Sequence, residues 1–201
     1  MTNSTDISSA GQQKAVERAS RAKNPFEELP EFMKFSLAGE KISLYCKTKA
    51  DMDPKTLKWA FKLAERNVGP FYKECSMGWQ PKIKQSDLNK NWARYLVAVD
   101  KNKSPVAYAM FRFDIDYGSS VLYCYEMQIE SSWRRKGLGR FMMTGLEKCA
   151  VHWGMEKVVL TVLKNNLDGM TFFDKMGFAV DDTSPDKSEK ADYEILSKTV
   201  L

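Results

Sequence analysis

The seven residues Arg134-Arg135-Lys136-Gly137-Leu138-Gly139-Arg140 decide the fold of this 201-residue chain. They stand between a run of β-favouring residues, 121–129, and a stretch with apolar residues at helical spacing, 138–152. Glycines let the backbone turn tightly there, and the free N–H groups at the start of a helix favour a bound phosphate. A lone glycine motif is more often an ordinary turn with a solvated basic edge. The elements that flank the motif therefore determine whether it is interpreted as a phosphate-binding helix start or as an ordinary turn.

Elements on both sides of this turn predict an α/β fold. Strands are expected at 95–99, 106–115, 121–129 and 158–163 and around Phe178 and Tyr193, and helices at 138–152 and 167–176. A further helix is predicted to begin at Pro54 and to end near Gly69, which leaves Tyr72 and Trp79 on a loop. This order predicts a mixed, mostly antiparallel central sheet that is flanked by helices.

The length of the chain fits one domain. Residues 1–23 are polar and are predicted to form a tail, in which 14–23 are compatible with a short basic helix, and residues 24–201 are predicted to form the domain. Hydrophobic residues make up 43% of the sequence, but no stretch approaches the roughly 18 consecutive apolar residues of a membrane span. No membrane association is therefore expected.

The sequence also argues against a metal site. His152 is the only histidine, and Cys46, Cys75, Cys124 and Cys149 contain no pair at zinc-ligand spacing. The chain has 31 Lys and Arg against 26 Asp and Glu, and this net charge of +5 is spread along its length. No direct nucleic-acid binding is expected, although a non-catalytic module that binds nucleic acid through the basic turn is kept as an alternative.

Downstream of the turn, Asn166 and the run Phe173-Asp174-Lys175-Met176-Gly177-Phe178 extend the pattern. Together these motifs resemble the cofactor signature of the GNAT acetyltransferase family. The resemblance implies a GNAT fold with splayed strands, and acetyl-CoA as the cosubstrate. It implies that acetyl-CoA is bound by Met127, Gln128, Ile129, Arg134, Arg135, Lys136, Gly137, Leu138, Gly139, Arg140 and Asn166. Phe173 departs from the tyrosine of many members, so another group or water has to protonate the leaving thiolate.

Several other runs are similar to the NatD group of this family. These runs are 111–114, 121–126, 160–162, 181–185 and 193–197. The NatD group acetylates the N-terminal serine of histone H4 and histone 2A, whose tails begin Ser-Gly-Arg-Gly-Lys. The resemblance implies catalytic roles for Glu126, Tyr125 and Thr161. It implies that the tail is bound by Tyr72, Trp79, Asp114, Asp116, Tyr123, Tyr125, Thr161 and Tyr193.

Chemistry supports Glu126 as the group that removes a proton from the amine. An α-amine titrates near pH 7.7 to 8.0 and a lysine side chain near 10.4, so a carboxylate that acts through water suffices for the α-amine. Strand alternation places Tyr123 and Tyr125 on the face opposite Glu126 unless a bulge intervenes, and the family implies such a bulge. The alternative for Glu126 is a surface ion pair, and for the two tyrosines it is core packing.

Asp114 and Asp116 alternate along one strand and are expected to share a face. Two carboxylates on one face suit the arginine of a basic tail, but a solvent-exposed pair at the end of a hairpin is an equal alternative. A lysine side-chain acetyltransferase of the same fold is the second functional hypothesis. The first hypothesis is the histone-tail acetyltransferase that the resemblance implies, and for it we expect a monomer that acts in the nucleus and the cytoplasm.

Overall fold

A computed structural model of the chain describes residues 9–37 and 39–201. Within that part, eight strands form one sheet: β1 (Lys34–Leu37), β2 (Glu40–Thr48), β3 (Arg94–Val99), β4 (Pro105–Asp116), β5 (Ser119–Ile129), β6 (Lys157–Leu163), β7 (Ala179–Val180) and β8 (Tyr193–Thr199). Their order across the sheet is β1-β2-β3-β4-β5-β6-β8-β7. Neighbouring strands are antiparallel except β5 and β6, which are parallel. The predicted mixed, mostly antiparallel sheet is confirmed.

Helices cover both faces of the sheet. The described α-helices are α1 (Ser9–Arg21), α2 (Pro54–Lys73), α3 (Pro81–Leu88), α4 (Leu138–Trp153) and α5 (Leu167–Lys175). Helices α1, α4 and α5 pack on one face, in a core that contains Phe111 and Leu122. Helices α2 and α3 pack on the opposite face, where Leu63 and Leu88 contact the cluster around Tyr95. The sheet therefore separates two cores.

Helix α1 corrects the prediction for the start of the chain. The sequence predicts a tail over residues 1–23 with a helix at 14–23, whereas α1 begins at Ser9 and ends at Arg21. Val16 and Ala19 lie three residues apart on this helix, and both are buried in the core with α4. Residues 24–201 thus share their core with α1, and residues 1–8 lie outside the described part.

Arg94 attaches α1 to the sheet. Its Nη2 donates hydrogen bonds to the backbone oxygens of Ser20 and, at 3.2 Å, of Ala22, just where α1 ends. Its Nη1 donates to the backbone oxygen of Trp92 at 3.3 Å. Arg94 is only 6% exposed, so these carbonyl groups have a charged partner away from water, where an unpaired carbonyl is costly.

Helix α2 is longer than predicted. Gly69 predicts its end, but the helix continues through Pro70 to Lys73. Ring carbons of Trp79 lie 3.6 to 3.8 Å from the position that a Cβ on Gly69 would occupy, so the indole packs against the helix at this point. Packing thus overrides the local stop signal, and Tyr72 lies on the last turn of a helix instead of on a loop.

Strands β1 and β2 and helix α3 are elements that the sequence prediction lacks. Strand β2 buries Ile42, Leu44 and Cys46 in strict alternation, which is a readable strand signal. Helix α3 has eight residues, begins with Pro81 and buries only Leu88. Helices this short are marginal by themselves, so α3 depends on its packing against the sheet.

Replacement of Arg94 by methionine is expected to lower the free energy of unfolding by about 2–3 kcal/mol, because three backbone acceptors lose a charged donor. Urea denaturation measures this difference. Arg21→Met is the matched control, since Arg21 is exposed and makes only a 3.7 Å contact with Glu17; its effect is expected to stay within about 0.5 kcal/mol. Equal effects of the two substitutions would contradict the role of Arg94.

Candidate active site

Strands β5 and β6 separate part of the way along their length. They pair in parallel at four positions, from Val121 with Lys157 to Cys124 with Leu160. Beyond Cys124 and Leu160 they do not pair with each other, although β5 continues to Ile129. The predicted splay is therefore present, and it opens a crevice of about 370 Å³. The crevice is lined by residues that include Met127, Gln128, Asn166, Phe173, Tyr193 and Thr161.

A β-bulge at Tyr125 changes which side chains share a face. Adjacent residues of β4 pair with Cys124 and Glu126, so Tyr125 is an extra residue in β5. Without this bulge, Glu126 would face away from Tyr123 and Tyr125. With it, all three line one cavity of about 180 Å³, together with Tyr72. We call this the tyrosine cavity, and several of its lining residues also line the crevice.

The glycine turn has the backbone geometry that the sequence predicts. Gly137 has φ +82° and precedes the first residue of α4, Leu138. The N–H of Phe141 donates to the oxygen of Gly137 at 3.0 Å. Because this bond is the first of the helix, the N–H groups of residues 138–140 have no intrahelical partner. A Cβ on Gly139 would lie 3.0 Å from Cδ1 of Ile129, so glycine permits the close approach of α4 to β5.

Basic side chains surround this helix start and are exposed to solvent. The exposed basic residues of the turn are Arg134, Arg135, Lys136 and Arg140. The Nε of Arg134 donates to the backbone oxygen of Ile129 at 3.1 Å, and the Lys136 ammonium lies 4.9 Å from the ring centroid of Trp133. Free N–H groups, a positive helix dipole and four cations make this turn a suitable site for a diphosphate.

The other predicted acetyl-CoA ligands divide into two groups. Met127, Gln128 and Asn166 line the crevice. Asn166 precedes α5 as predicted, and its side chain accepts a hydrogen bond from the N–H of Gly169 at 3.0 Å, so it also caps this helix. The side chain of Ile129 packs on the α4 face, while its backbone oxygen accepts from Asn67 at 3.2 Å.

Glu126 is held by donors from two elements, α3 and β5. Its Oε2 lies 2.7 Å from Nζ of Lys84 on α3, and its Oε1 accepts a hydrogen bond from Gln128. Gln128 in turn accepts from Nδ2 of Asn67 on α2 at 2.9 Å. The side chain of Glu126 is 8% exposed, so it is a buried carboxylate. The alternative of a surface ion pair is wrong for this residue.

Lys84 is the site residue that sequence reasoning missed. It lines both the tyrosine cavity and the crevice, and its ammonium lies 5.2 Å from the ring centroid of Tyr72. Burial alone would lower the pKa of Lys84, but the negative charge of Glu126 and its hydrogen bond raise this pKa above its usual value. The sequence offers only two signals for the position of Lys84. Pro81 opens α3, and Lys84 precedes the buried Leu88 by four residues.

The remaining tyrosines surround the position where the strands separate. The hydroxyls of Tyr123 and Thr161 are hydrogen-bonded at 2.8 Å, which connects β5 to β6 across the start of the crevice. Burial raises the pKa of Tyr123, although the bond to Thr161 opposes this rise. Tyr72 lines both cavities and Tyr193 lines the crevice. The structure thus brings Tyr72, Tyr123, Tyr125, Thr161 and Tyr193 together with Glu126.

Trp79 lies apart from the two cavities that the predicted tail-binding tyrosines line. It lines neither the tyrosine cavity nor the crevice. Its ring packs against α2, at centroid distances of 5.8 Å from Tyr72 and 6.3 Å from Phe61. Helix α2 extends past Gly69, and the indole packs against it there, so a role of Trp79 in binding the tail stays a prediction. Trp79 therefore packs against Tyr72 from outside the two cavities.

Asp114 and Asp116 share a face as predicted, but neither lines the two cavities. Asp114 forms an ion pair with Arg112, and the guanidinium of Arg112 lies 4.8 Å from the ring centroid of Trp92 and 5.2 Å from that of Tyr125. Asp114 therefore already has a cation. Burial raises the pKa of Asp116, and the charge of Lys157 opposes this rise.

Two contacts join the walls of the crevice. The backbone oxygen of Phe71 on α2 accepts from Nδ2 of Asn165 at 3.0 Å. The carboxylate of Asp192 accepts hydrogen bonds from both the N–H of Ser76, at 2.8 Å, and its hydroxyl. The end of α2 is thus attached to the segments that follow β6 and precede β8.

The described ranges contain neither a metal-binding cluster nor a membrane-spanning helix. Residues 9–37 and 39–201 contain no group of three or more His, Cys, Asp or Glu side chains that is placed to hold a metal ion. Among the helices of these residues, none is both long and apolar enough to cross a membrane.

Solved structures of low sequence identity share this fold. A GNAT acetyltransferase from Staphylococcus aureus matches with a TM-score of 0.60 and 10% identity, over 79% of this chain and 100% of that one. The Escherichia coli ribosomal-protein-S18-alanine N-acetyltransferase matches with a TM-score of 0.55 and 16% identity, over 78% of this chain and 94% of that one. Arabidopsis thaliana NAA60, solved with a bisubstrate analogue, matches with a TM-score of 0.54 and 12% identity, over 78% of this chain and 98% of that one. At these identities the likeness shows the fold alone.

The family itself is shown by sequence. The model of the family described as "Acetyltransferase (GNAT) family" matches residues 60–178, which is more than half of the chain. This range contains the bulge at Tyr125, the glycine turn and Asn166. The splayed strands and the anion-binding helix start are thus placed in the matched region, and the chain belongs to the GNAT acetyltransferase family, whose enzymes use acetyl-CoA.

Proposed function

We propose that this acetyltransferase transfers the acetyl group of acetyl-CoA to the free N-terminal serine amine of histone H4 and histone 2A. One observation carries this proposal: a buried carboxylate, Glu126, faces a cavity walled by Tyr72, Tyr123 and Tyr125, at the place where the crevice begins. A small aromatic cavity beside a carboxylate suits the end of a peptide chain. Two of the runs that resemble the NatD group, 121–126 and 160–162, contribute Tyr123, Tyr125, Glu126 and Thr161 to the lining of this cavity.

The residues fit acetyl-CoA at three places. The edge of β5 beyond Cys124 has no strand partner on the β6 side in the described structure, so backbone groups of this edge other than the oxygen of Ile129, which accepts from Asn67 and Arg134, can bind an extended ligand. The helix start at Leu138 offers N–H groups and four basic side chains to a diphosphate. Asn166 and Phe173 line the crevice. Bound there, acetyl-CoA supplies an activated acetyl group as a thioester.

The transfer needs a neutral amine, which attacks the thioester carbonyl, forms the N–C bond and releases the thiolate when the C–S bond breaks. The amine loses one proton in this step, and Glu126 accepts it through a water molecule. The thiolate gains one proton in return. Phe173 has no hydroxyl for this purpose, so water or one of the hydroxyls of the paired Tyr123 and Thr161 provides it.

The rest of the tail has a surface to bind beside the cavity. Tyr125, Arg112, Asp114 and Asp116 share one face of the sheet. Asp114 is paired with Arg112, whereas Asp116 is half-buried and forms no ion pair within 4.0 Å among the described side chains. Asp116 is therefore the carboxylate that we assign to the arginine of a Ser-Gly-Arg-Gly-Lys tail.

We further propose that the enzyme acts as a monomer on histone tails, in the nucleus and the cytoplasm, without binding nucleic acid or membranes. The solved structures of the same fold include an enzyme whose name specifies N-acetylation of an alanine in a ribosomal protein. Protein acetylation is thus within the range of this fold.

The test of the proposed function is mass spectrometry of two peptides after incubation with acetyl-CoA. One begins with Ser-Gly-Arg-Gly-Lys and has a free terminus, and the other has the same sequence with a blocked terminus. Acetylation of the α-amine of the first peptide is expected to dominate, because the cavity accepts a chain end. Preferential modification of the lysine in both peptides would replace the proposal by a lysine side-chain acetyltransferase.

Glu126→Gln is expected to lower turnover by at least about 100-fold, because the proton acceptor is lost, while acetyl-CoA binding is retained. Steady-state kinetics and the acetyl-CoA-induced shift of the melting temperature measure the two effects. Glu130→Gln is the matched control: Glu130 follows the same strand and pairs with Arg66 at 2.9 Å, outside both cavities. Unchanged turnover of Glu126→Gln would remove this residue from the mechanism.

Combined replacement of Arg135 and Arg140 by alanine is expected to weaken acetyl-CoA binding by about tenfold or more, because each loss removes a charged contact to the diphosphate. Calorimetric titration with acetyl-CoA at low and high salt measures the affinity. Arg18→Ala is a control at a distance, since Arg18 lies on α1 and packs on Trp153. An unchanged affinity of the double variant would mean that the helix start does not bind the diphosphate.

A further inference from the structure

The tyrosine cavity contains a cation of the protein itself. Nζ of Lys84 lies 2.7 Å from Oε2 of Glu126 and 5.2 Å from the ring centroid of Tyr72, and the side chain is only 15% exposed. Lys84 also lines the crevice, so its ammonium stands between the two spaces that the substrates of an acetyl transfer would occupy. The position beside the carboxylate, where a charged substrate amine would be most stable, is thus already taken.

The surroundings fix this cation in place. Lys84 lies on the first turns of α3, where its N–H donates to the oxygen of Gln80 at 3.0 Å, and Leu88 anchors the other end of the helix in the core. Glu126 keeps its second oxygen bonded to Gln128. The titratable groups that face this pair are Tyr72 from α2, Asp87 from α3, Tyr95 from β3, Tyr108 from β4, and Tyr123, Cys124 and Tyr125 from β5.

Most of these neighbours carry no charge at neutral pH. Burial raises the pKa of Tyr95, of Tyr108 and of Cys124, and Glu126 adds to each rise, so the three stay protonated. Asp87 is the remaining carboxylate of this group; it lines the cavity, but its side chain is half-exposed and has a cation of its own, because Nζ of Lys90 lies 4.0 Å from its Oδ1. One ammonium therefore balances Glu126, and a second ammonium brought beside it meets a like charge at short range in a poorly solvated space.

A neutral amine does not meet this repulsion. At pH 7.5 about a third of an α-amine population is neutral, but only about one lysine side chain in a thousand is. A cavity that excludes charged amines thus discriminates between two chemically similar nucleophiles through their ionisation. Size alone does not separate them, since both are primary amines on a flexible chain.

We propose that Lys84 is a specificity-determining residue: its ammonium occupies the cation position beside Glu126 and so restricts the cavity to neutral amines, which favours an N-terminal α-amine over a lysine side chain. This inference rests on the proposed function and names the residue that produces its preference. A purely structural role for the Lys84 to Glu126 pair would change both reactions together.

The experiment measures kcat/KM for two peptides with one reactive amine each. The first begins Ser-Gly-Arg-Gly-Gln and has a free terminus, and the second is acetyl-Ser-Gly-Arg-Gly-Lys. The full-length protein is compared with Lys84→Gln, which keeps a hydrogen-bond donor without the charge, and with Lys84→Arg, which keeps the charge. Lys82→Gln, at an exposed position of the same helix, is the surface control.

In Lys84→Gln, the preference for the first peptide is expected to fall by about tenfold or more, because the like-charge repulsion is removed. In Lys84→Arg and Lys82→Gln, this preference is expected to differ from that of the wild type by less than about twofold. The lysine reaction of the wild type is expected to rise with pH more steeply than that of Lys84→Gln. An unchanged preference in Lys84→Gln, with a retained acetyl-CoA-induced melting shift, overturns the role of Lys84.

A second measurement needs no variant. At pH 6, where the α-amine is protonated, the wild type is expected to bind a Ser-Gly-Arg-Gly-Gln peptide whose amine is replaced by a hydroxyl about tenfold more tightly than the amine form. Equal affinities overturn the inference. A wild type that prefers the blocked lysine peptide instead overturns the proposed function itself, so the two failures are distinguishable.

Discussion

The separation of β5 from β6 after Cys124 is the constraint on which the site depends. Ladder hydrogen bonds between the two strands end there, although β5 still pairs with β4 and β6 with β8, so only the backbone groups on the two facing edges need another partner or a ligand. The start of α4 stands beside the diverging end of β5, and α2 and α3 cover the opposite face. One interruption of pairing thus opens the crevice, beside which α4 begins, and the tyrosine cavity lies where the crevice begins.

Charge is distributed along this crevice in a definite order. Among the described residues, the cations around Gly137 have no carboxylate partner within 4.0 Å; a buried ion pair joins Lys84 to Glu126 where the crevice begins, and Asp116 lies on the face beyond Tyr123. A polyanion and a basic chain are therefore attracted to different parts of the protein. The buried pair contributes little to stability by itself, since desolvation of both charges opposes their attraction. The effect that we propose for it is on which amines can enter the tyrosine cavity.

Sequence patterns predict the parts of this protein that repeat with a fixed period or carry a dense motif. The alternation along β4 and β5, the helical spacing after Gly137 and the cap at Asn166 all lie within a residue or two of their predicted places. Tertiary packing decided the rest: Trp79 lengthens α2 past Gly69, and α3 exists only against the core. Lys84 was missed because the position of a single lysine on a short polar helix has no local signal.

The extra residue at Tyr125 is not required by the sheet. Cys124 and Glu126 already alternate correctly with respect to β4, so a strand that lacked Tyr125 would pair regularly through this region. Such a shortened strand would present two side chains to the cavity, Tyr123 and Glu126, where the protein presents three. A single inserted residue thus adds a second tyrosine to the cavity wall while Glu126 keeps its place opposite Met110, so the wall gains an aromatic ring at no cost to the pairing with β4.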